Sequence, residues 1–386
     1  MSAGEVVETR RSFVRPLVFS LVIFTILGLL FGLPWWTLLF SEAQWPVAVR
    51  AGGSVVFGVW LASFPVLMYL GHGSRRLDWA ARIGDTTLGI IWVLFTWALI
   101  GNVFRLGLDL AGVADPLRSR VVAIGVLAVA LVLCLWGYAE AMRVPRVRRV
   151  EVTIPRLSEG FDGTKVVILT DTHYGPINRA RWMARVAEVV NGLEPDIVCH
   201  TGDIADGSVA QRREQAAPLA AIRARLARTY VTGNHEYFGE AQRWVEHMRE
   251  LGWEAMQNRH VVLSNQGDQL VVAGVDDATA SSSDLKAALS GVDPELPVLL
   301  LAHQPKQVGH AVASGVDIQI SGHTHGGQIW PFHLLVKLDQ PAVQGLSRHG
   351  ERTQLYTSRG TGFWGPPLRI FAPSEISLLI LRRPIN

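Results

Sequence analysis

Gly322-His323-Thr324-His325 closes a run of metal-ligand residue types that recur in one order along the chain. Upstream stand Asp171-Thr172-His173, then Gly202-Asp203, then Gly233-Asn234-His235-Glu236, then His303. Carboxylates, imidazoles and one amide are the donors that suit a borderline divalent transition metal. Short aliphatic or β-branched runs at residues 165–170, 196–199 and 317–320 precede three of these clusters. A buried strand that ends in a polar residue delivers that residue to one edge of a sheet, so several such ends can converge on one site. Asp171, His173, Asp203, Asn234, His303, His323 and His325 are too many donors for one tetrahedral ion, which implies two divalent cations such as Mn, Fe or Zn.

The order D-x-H, G-D-x-x-D, G-N-H-[DE], H and G-H-x-H over residues 171–325 resembles the calcineurin-like metallophosphoesterase superfamily. The downstream Gly326-Gly327-Gln328 and the stretch from Ser358 to Arg369 look like its YkuE/YaeI-type branch and that branch's transmembrane relatives. The resemblance implies an α+β/α/β domain, a four-layer αββα sandwich of two mixed sheets with helices outside. It assigns Asp171, His173 and His325 to one metal, Asn234, His303 and His323 to a second, and Asp203 to both. Two cations roughly 3.5–4 Å apart neutralise an anionic phosphoester and lower the pKa of a bridging water, whose hydroxide attacks phosphorus. His235 matches the family's non-ligand histidine, which contacts phosphate and protonates the leaving group. Asp206 completes G-D-x-x-D and is placed to hold that imidazole. Glu236 fills the [DE] slot with a loop-stabilising role. His200, two residues before Gly202, reads as a packed strand residue or a support for the ligands. Phe363, Trp364 and His333 are candidates for substrate contact, the two aromatics being suited to acyl chains or a membrane interface.

Residue spacing alone supports alternating strands and helices after residue 155. Strands are expected at residues 165–170, 196–201, 230–232, 269–275, 298–301, 317–320, 354–357 and 376–381. Helices are expected at 179–191, 211–227, 240–251 and 306–314. Residues 144–155, rich in Pro and Arg, read as a connector.

The first 145 residues have a different composition. Uncharged apolar stretches at residues 16–40, 51–71, 86–104 and 121–139 each approach the ~20 residues that cross a bilayer, giving a transmembrane domain over 1–145 and a catalytic domain over 146–386. Arg10, Arg11 and Arg15 before the first stretch, Arg75, Arg76 and Arg82 between the second and third, and Arg143, Arg146, Arg148 and Arg149 after the fourth place these segments in the cytoplasm. The loop 105–120 dissents with Arg105, Arg118 and Arg120. Thr9-Arg10-Arg11-Ser12-Phe13 looks like a twin-arginine export signal. The long apolar run behind it lacks an A-x-A cleavage site and three more spans follow, so the arginines read as positive-inside anchors. The expected location is a bacterial inner or plasma membrane.

The excess of three positive charges lies in the membrane half, where 11 bases face 8 acids; from Arg146 onward 25 face 25. That balance provides no basic tract for nucleic acid. Cys134 lies in an apolar span and Cys199 in an apolar strand, which argues against a disulfide. Together these features point to a membrane-anchored dinuclear phosphohydrolase, a phosphodiesterase or pyrophosphohydrolase. Bacterial relatives near this branch imply lipid-linked substrates, such as phospholipid head groups or UDP-diacylglucosamine-type pyrophosphates. The enzymatic alternative is a soluble nucleotide or cyclic-nucleotide diester. The other alternative is a non-catalytic membrane scaffold on the same fold, but such proteins lose ligands and this chain keeps every one.

Overall fold

The computed structural model describes residues 3–73 and 76–384, with side chains from residue 18 onward. Arg75 lies outside the described residues, as do the side chains of Arg10, Arg11 and Arg15. The chain forms two compact units, Met1–Trp136 and Gly137–Asn386.

The first unit contains helices α1 (Ala3–Leu39), α2 (Val47–His72), α3 (Asp78–Leu110) and most of α4 (Leu117–Met142). Each is long and apolar enough to cross a bilayer, with mean hydropathy from 1.7 to 2.5 over the qualifying stretches. Phe24, Val55, Val103 and Leu131 face outward. Polar side chains pair inside: Asn102 Nδ2 donates to Thr37 Oγ1 at 2.7 Å, and Trp60 Nε1 to Thr87 Oγ1 at 3.1 Å. The third helix begins at Asp78 rather than residue 86. Asp85 interrupted the apolar run in the sequence, but it is buried against His72 Nε2 at 2.8 Å, so the helix carries it inside.

The second unit has twelve strands among the described residues: β1 (Arg146–Thr153), β2 (Lys165–Leu169), β3 (Ile197–His200), β4 (Ala227–Tyr230), β5 (Glu254–Ala255), β6 (Arg259–Asn265), β7 (Asp268–Gly274), β8 (Val298–Leu301), β9 (Ile318–Ser321), β10 (Gly345–His349), β11 (Thr353–Thr357) and β12 (Glu375–Arg382). Its helices are α5 (Ala180–Gly192), α6 (Val209–Ala216), α7 (Asn234–Tyr237), α8 (Ala241–Glu250), α9 (Leu285–Ala288), α10 (Val308–Ala313) and α11 (His333–Val336). One sheet runs β1-β12-β2-β3-β4-β5 and the other β10-β11-β9-β8-β7-β6. Strands β2 to β5 are parallel, as are β7, β8, β9 and β11.

The four layers follow from side-chain alternation. On β2, Val166 and Ile168 face the core between the sheets, with Leu299, Leu301, Ile318 and Ile320 opposite. Val167 and Leu169 face the other way, onto Met183 and Val186 of α5 and Trp244 and Met248 of α8. The second sheet packs Val271 and Leu300 outward against Ala288 of α9 and Ala311 of α10. Strands buried on both faces read as continuous apolar runs, which is why β2, β3 and β8 stand out in the sequence.

Three expectations need correction. The helix expected at 211–227 ends at Ala216, and Ala217–Ala221 continue as a 3₁₀ turn with Pro218 in its opening turn. Proline has no N–H to extend the ladder. That helix starts early, at Val209, because Ser208 and Gln211 form a capping box. The strand expected at 230–232 therefore forms at Ala227–Tyr230. Residues 146–153 are not a connector but β1, paired in parallel with β12 along its whole length.

Candidate metal centre and active site

The parallel strands β2, β3 and β4 of one sheet and β8 and β9 of the other end at the same edge, and their next residues are the sequence-predicted ligands. Asp171 and His173 follow β2, Asp203 follows β3, Asn234 opens α7 after β4, His303 follows β8, and His323 and His325 follow β9. Five of these adopt left-handed backbone: Asp171 (φ 53°), His173 (43°), Asp203 (54°), His323 (70°) and His325 (51°). Non-glycine residues seldom do so, and such strain concentrates at functional sites. Gly202 shows how tight the turns are: its φ is 97°, and a Cβ there would lie 2.7 Å from His303 Nδ1.

Two groups of donors result. In the first, His173 Nε2 lies 3.1 Å from His325 Nε2, and Asp171 Oδ1 lies 3.5 Å from His325 Nε2 and 4.0 Å from His173 Nε2. In the second, Asn234 Oδ1 lies 3.2 Å from His303 Nε2 and 2.9 Å from His323 Nδ1. Asp203 Oδ2 stands between the groups, 3.6 Å from His173 Nε2 and 3.1 Å from His303 Nε2. Asp171, His173 and Asp203 are buried, as are His303 and His325. Apolar burial of this many carboxylates and imidazoles without a cation is costly. Burial, then the charge of His173 and of Arg369, pushes the His325 imidazole well below its usual range. Burial and His303 bring His323 down to about 4. His303 differs: burial opposes its protonation, but Asp203 outweighs that and pushes the ring well above its usual range, a proton that a cation beside the same carboxylate would replace. Imidazoles beside buried carboxylates are the donor chemistry that divalent transition metals require, so the residues fit a metal pair.

His235 stands beside this set and differs from it. Its Nδ1 lies 2.6 Å from Asp206 Oδ1, and its backbone N–H donates to Asp203 Oδ1 at 2.9 Å. Burial works against protonation of the ring, but Asp203 and then Asp206 outweigh it and push His235 up to about 9. The same Asp206 Oδ1 also lies 3.1 Å from His173 Nδ1, a partnership the sequence did not reveal. Burial opposes ionisation of Asp206, yet His173 and His235 hold its carboxyl far below the usual range. An aspartate on Nδ1 leaves His173 Nε2 to face a cation. His235, with His173 and Asp203, also forms a third close donor group, so proximity alone does not exclude it as a ligand.

Glu236 accepts three backbone N–H groups: Gly233 at 2.6 Å, Ile204 at 2.8 Å and Asp203 at 3.0 Å. It thereby ties the Asp203 loop to the Asn234 loop. Burial and then Asp203 push its carboxyl up to about 8, against the backbone amides that favour the ionised form.

His200 is buried in β3 with Nε2 3.3 Å from Thr172 Oγ1, and burial brings it down to about 3. His333 opens α11 and lines a cavity of about 610 Å³ with Gly326, Trp330, Lys337 and Phe371. Phe363 is 6% exposed and packs under the Arg179 guanidinium at 4.6 Å, so it is not an exposed platform. Trp364 is 48% exposed. Cys199 is buried in the core between the sheets, and both cysteines are free.

In the sequence Arg369 reads only as the end of a Gly/Pro loop. It is fully buried, donates to His325 O at 2.7 Å, and sets Nη2 3.1 Å from His325 Nδ1. An arginine between Leu368 and Ile370 was the available signal, since a guanidinium in an apolar run needs buried acceptors.

This fold and this ordered donor set define a metallophosphoesterase. The profile of the family described as Calcineurin-like phosphoesterase matches residues 164–327, and the chain belongs to that family. A Danio rerio protein named "Transmembrane protein with metallophosphoesterase domain" is 33% identical over 365 residues, which cover 86% of this chain and 83% of that protein. A Bos taurus protein of the same name is 37% identical over 270 residues, covering 66% and 61%. "Uncharacterized metallophosphoesterase YkuE" of Bacillus subtilis is 29% identical over 257 residues, covering 64% and 90%.

Proposed function

We propose that the chain is a membrane-anchored phosphodiesterase or pyrophosphohydrolase acting on lipid-linked or membrane-proximal phosphoesters. In this reading residues 1–145 are the transmembrane domain, residues 146–386 the catalytic domain, and the catalytic domain lies in the cytoplasm. Asp171, His173 and His325 would hold one divalent cation, Asn234, His303 and His323 a second, and Asp203 would serve both. The observation that carries this is the position of Asp203 Oδ2, within 3.6 Å of His173 Nε2 on one side and 3.1 Å of His303 Nε2 on the other.

When bound, such a pair of cations supplies neutralisation of the phosphoryl oxygens and lowers the pKa of water. The chain's own residues divide the remaining tasks. Asp206 orients two imidazoles through their Nδ1 atoms, His173 as a ligand and His235 as an acid. His235 gives its proton to the leaving oxygen and takes one back from solvent in the next cycle. Glu236 and Arg369 fix the loops that present Asp203, Asn234 and His325. Four apolar helices favour a substrate at the bilayer, because tethering raises the effective concentration of membrane-resident esters.

The test is turnover by the full chain in detergent with manganese. A chromogenic phosphodiester should be hydrolysed, and activity should vanish with chelator and in Asp203→Asn. Lipid diesters should outcompete nucleotide diesters side by side. Activity indifferent to chelation and to Asp203→Asn would overturn the assignment, and a nucleotide preference would overturn the substrate class.

A further inference from the structure

Two aromatic rings stand against the His235 imidazole, and the proposed mechanism uses neither. Phe238 meets it edge to face with centroids 5.1 Å apart, and Trp364 does so at 5.7 Å. Both rings are open to solvent, Phe238 at 65% and Trp364 at 48%. Phe332 and Phe371 of the same unit are exposed too, but Phe238 and Trp364 are the exposed rings that stand against His235. Neither backbone is loose. Gln328 Oε1 accepts from Trp364 N at 2.9 Å, and its Nε2 donates to Trp364 O at 2.7 Å and Pro366 O at 3.1 Å. Gln328 is itself buried and held at φ 48°, three residues after His325. Phe238 closes α7, four residues after Asn234, with its N–H on His235 O at 3.2 Å. Each exposed ring is therefore fixed to a loop that carries a proposed ligand.

We propose that Phe238 and Trp364 form an aromatic cleft for the apolar part of the leaving group, a specificity site that rests on the reading of His235 as the acid. An oxygen that takes a proton from His235 sits within hydrogen-bond reach of its ring, about 3 Å. With Nδ1 held by Asp206, the proton comes from Nε2, and the group attached to that oxygen lies within reach of the two rings that flank the same imidazole. A polyol or charged group placed there loses water and gains no partner from Phe238, whereas an alkyl or aryl group gains contact. The chemistry recognised is an apolar leaving group, whether the alkyl portion of a lipid or a planar aryl ring.

The experiment measures binding of non-hydrolysable phosphonates to the full-length, manganese-loaded protein in detergent by calorimetry. Methylphosphonate, butylphosphonate and phenylphosphonate are compared on the wild type, Phe238→Ala, Trp364→Ala and Trp364→Phe. The wild type should prefer butyl or phenyl over methyl by at least about 10-fold, the scale of a methylene in an apolar pocket. Each alanine variant should lose most of that preference with methylphosphonate affinity unchanged, and Trp364→Phe should retain it. A butyl preference assigns a lipid alkyl group and a phenyl preference an aryl group, and either supports the cleft. Equal loss of affinity for all three ligands means that the rings merely shield His235, and no change means that they touch nothing; both overturn the inference. If the wild type binds methylphosphonate and hydrolyses diesters yet shows no preference, the cleft fails alone. If it neither binds nor hydrolyses, the active-site reading fails with it.

Discussion

Asp206 is the residue whose removal separates the structure from the sequence most sharply. By its position in G-D-x-x-D it serves His235 alone. In the structure its Oδ1 lies 2.6 Å from His235 Nδ1 and 3.1 Å from His173 Nδ1. A double-mutant cycle between Asp206→Ala and His235→Ala distinguishes the two arrangements. A hydrogen bond to a charged group contributes about 1.5–3 kcal/mol. Losing the one on His173 should weaken metal binding about 10–100-fold, since each 1.4 kcal/mol is tenfold and supports of ligating histidines are worth that much. Full-length protein stripped with chelator and titrated with manganese gives the dissociation constant, while turnover of a chromogenic diester at saturating metal gives the chemistry. His235→Ala should leave the constant nearly unchanged, and adding Asp206→Ala to it should raise the constant by the full 10–100-fold. If Asp206→Ala is silent toward metal in the His235→Ala background, Asp206 acts only through His235 and the proposed support of His173 is wrong.

Three further outcomes are expected. His235→Ala should keep both metals by elemental analysis yet lose about 10²–10⁴-fold in turnover, less for esters with good leaving groups; a variant that sheds a metal would make His235 a ligand. Glu236→Gln keeps the volume but turns an amide group toward a backbone N–H, leaving a buried donor unsatisfied at a cost of about 1–3 kcal/mol that should lower the Tm by several degrees. An unchanged Tm and unchanged metal affinity would show that Glu236 does not brace the two loops. An alkaline phosphatase fused after Asn386 should be inactive and a fluorescent protein there bright, as expected if the arginine distribution places both termini in the cytoplasm; the reverse pair would put the catalytic unit outside.

The strands, and the candidate ligands at their ends, were legible for one physical reason. β2, β3, β8 and β9 are buried, so their sequences are apolar runs that stop at a polar residue. What was illegible depends on partners distant in sequence. β1 carries three arginines and alternates exposure, so its composition reads as a linker, and only pairing with β12 makes it a strand. Arg369 reads as a loop cation until its acceptors, His325 O and Gly362 O, are brought around it. Asp206 is visible as a motif residue, but its second partner lies 33 residues away and in a different loop. Apolar length located the four helices of the first unit, yet Asp85 shortened the third until its pairing with His72 was seen.

The left-handed turns at the candidate ligands show why so much of this support is buried. A non-glycine residue in that conformation costs on the order of 1 kcal/mol or more, and Asp171, His173, Asp203, His323 and His325 all adopt it. If cations alone held these turns, the metal-free loops would relax and each binding event would have to refold them. The contacts argue otherwise. Asp171 accepts the N–H of His323, Asp203 accepts the N–H of His235, Glu236 accepts three amides, and Arg369 holds the carbonyl of His325. Gly202 permits the close crossing of the Asp203 and His303 loops that any side chain would block. The strain is thus offset by bonds that exist independently of a cation, and they converge from both sheets on the same edge. A pre-set donor cage of this kind favours metals by geometry as well as by charge. It also keeps His235 and its aromatic neighbours in place, so the proposed acid is positioned by the fold before substrate arrives.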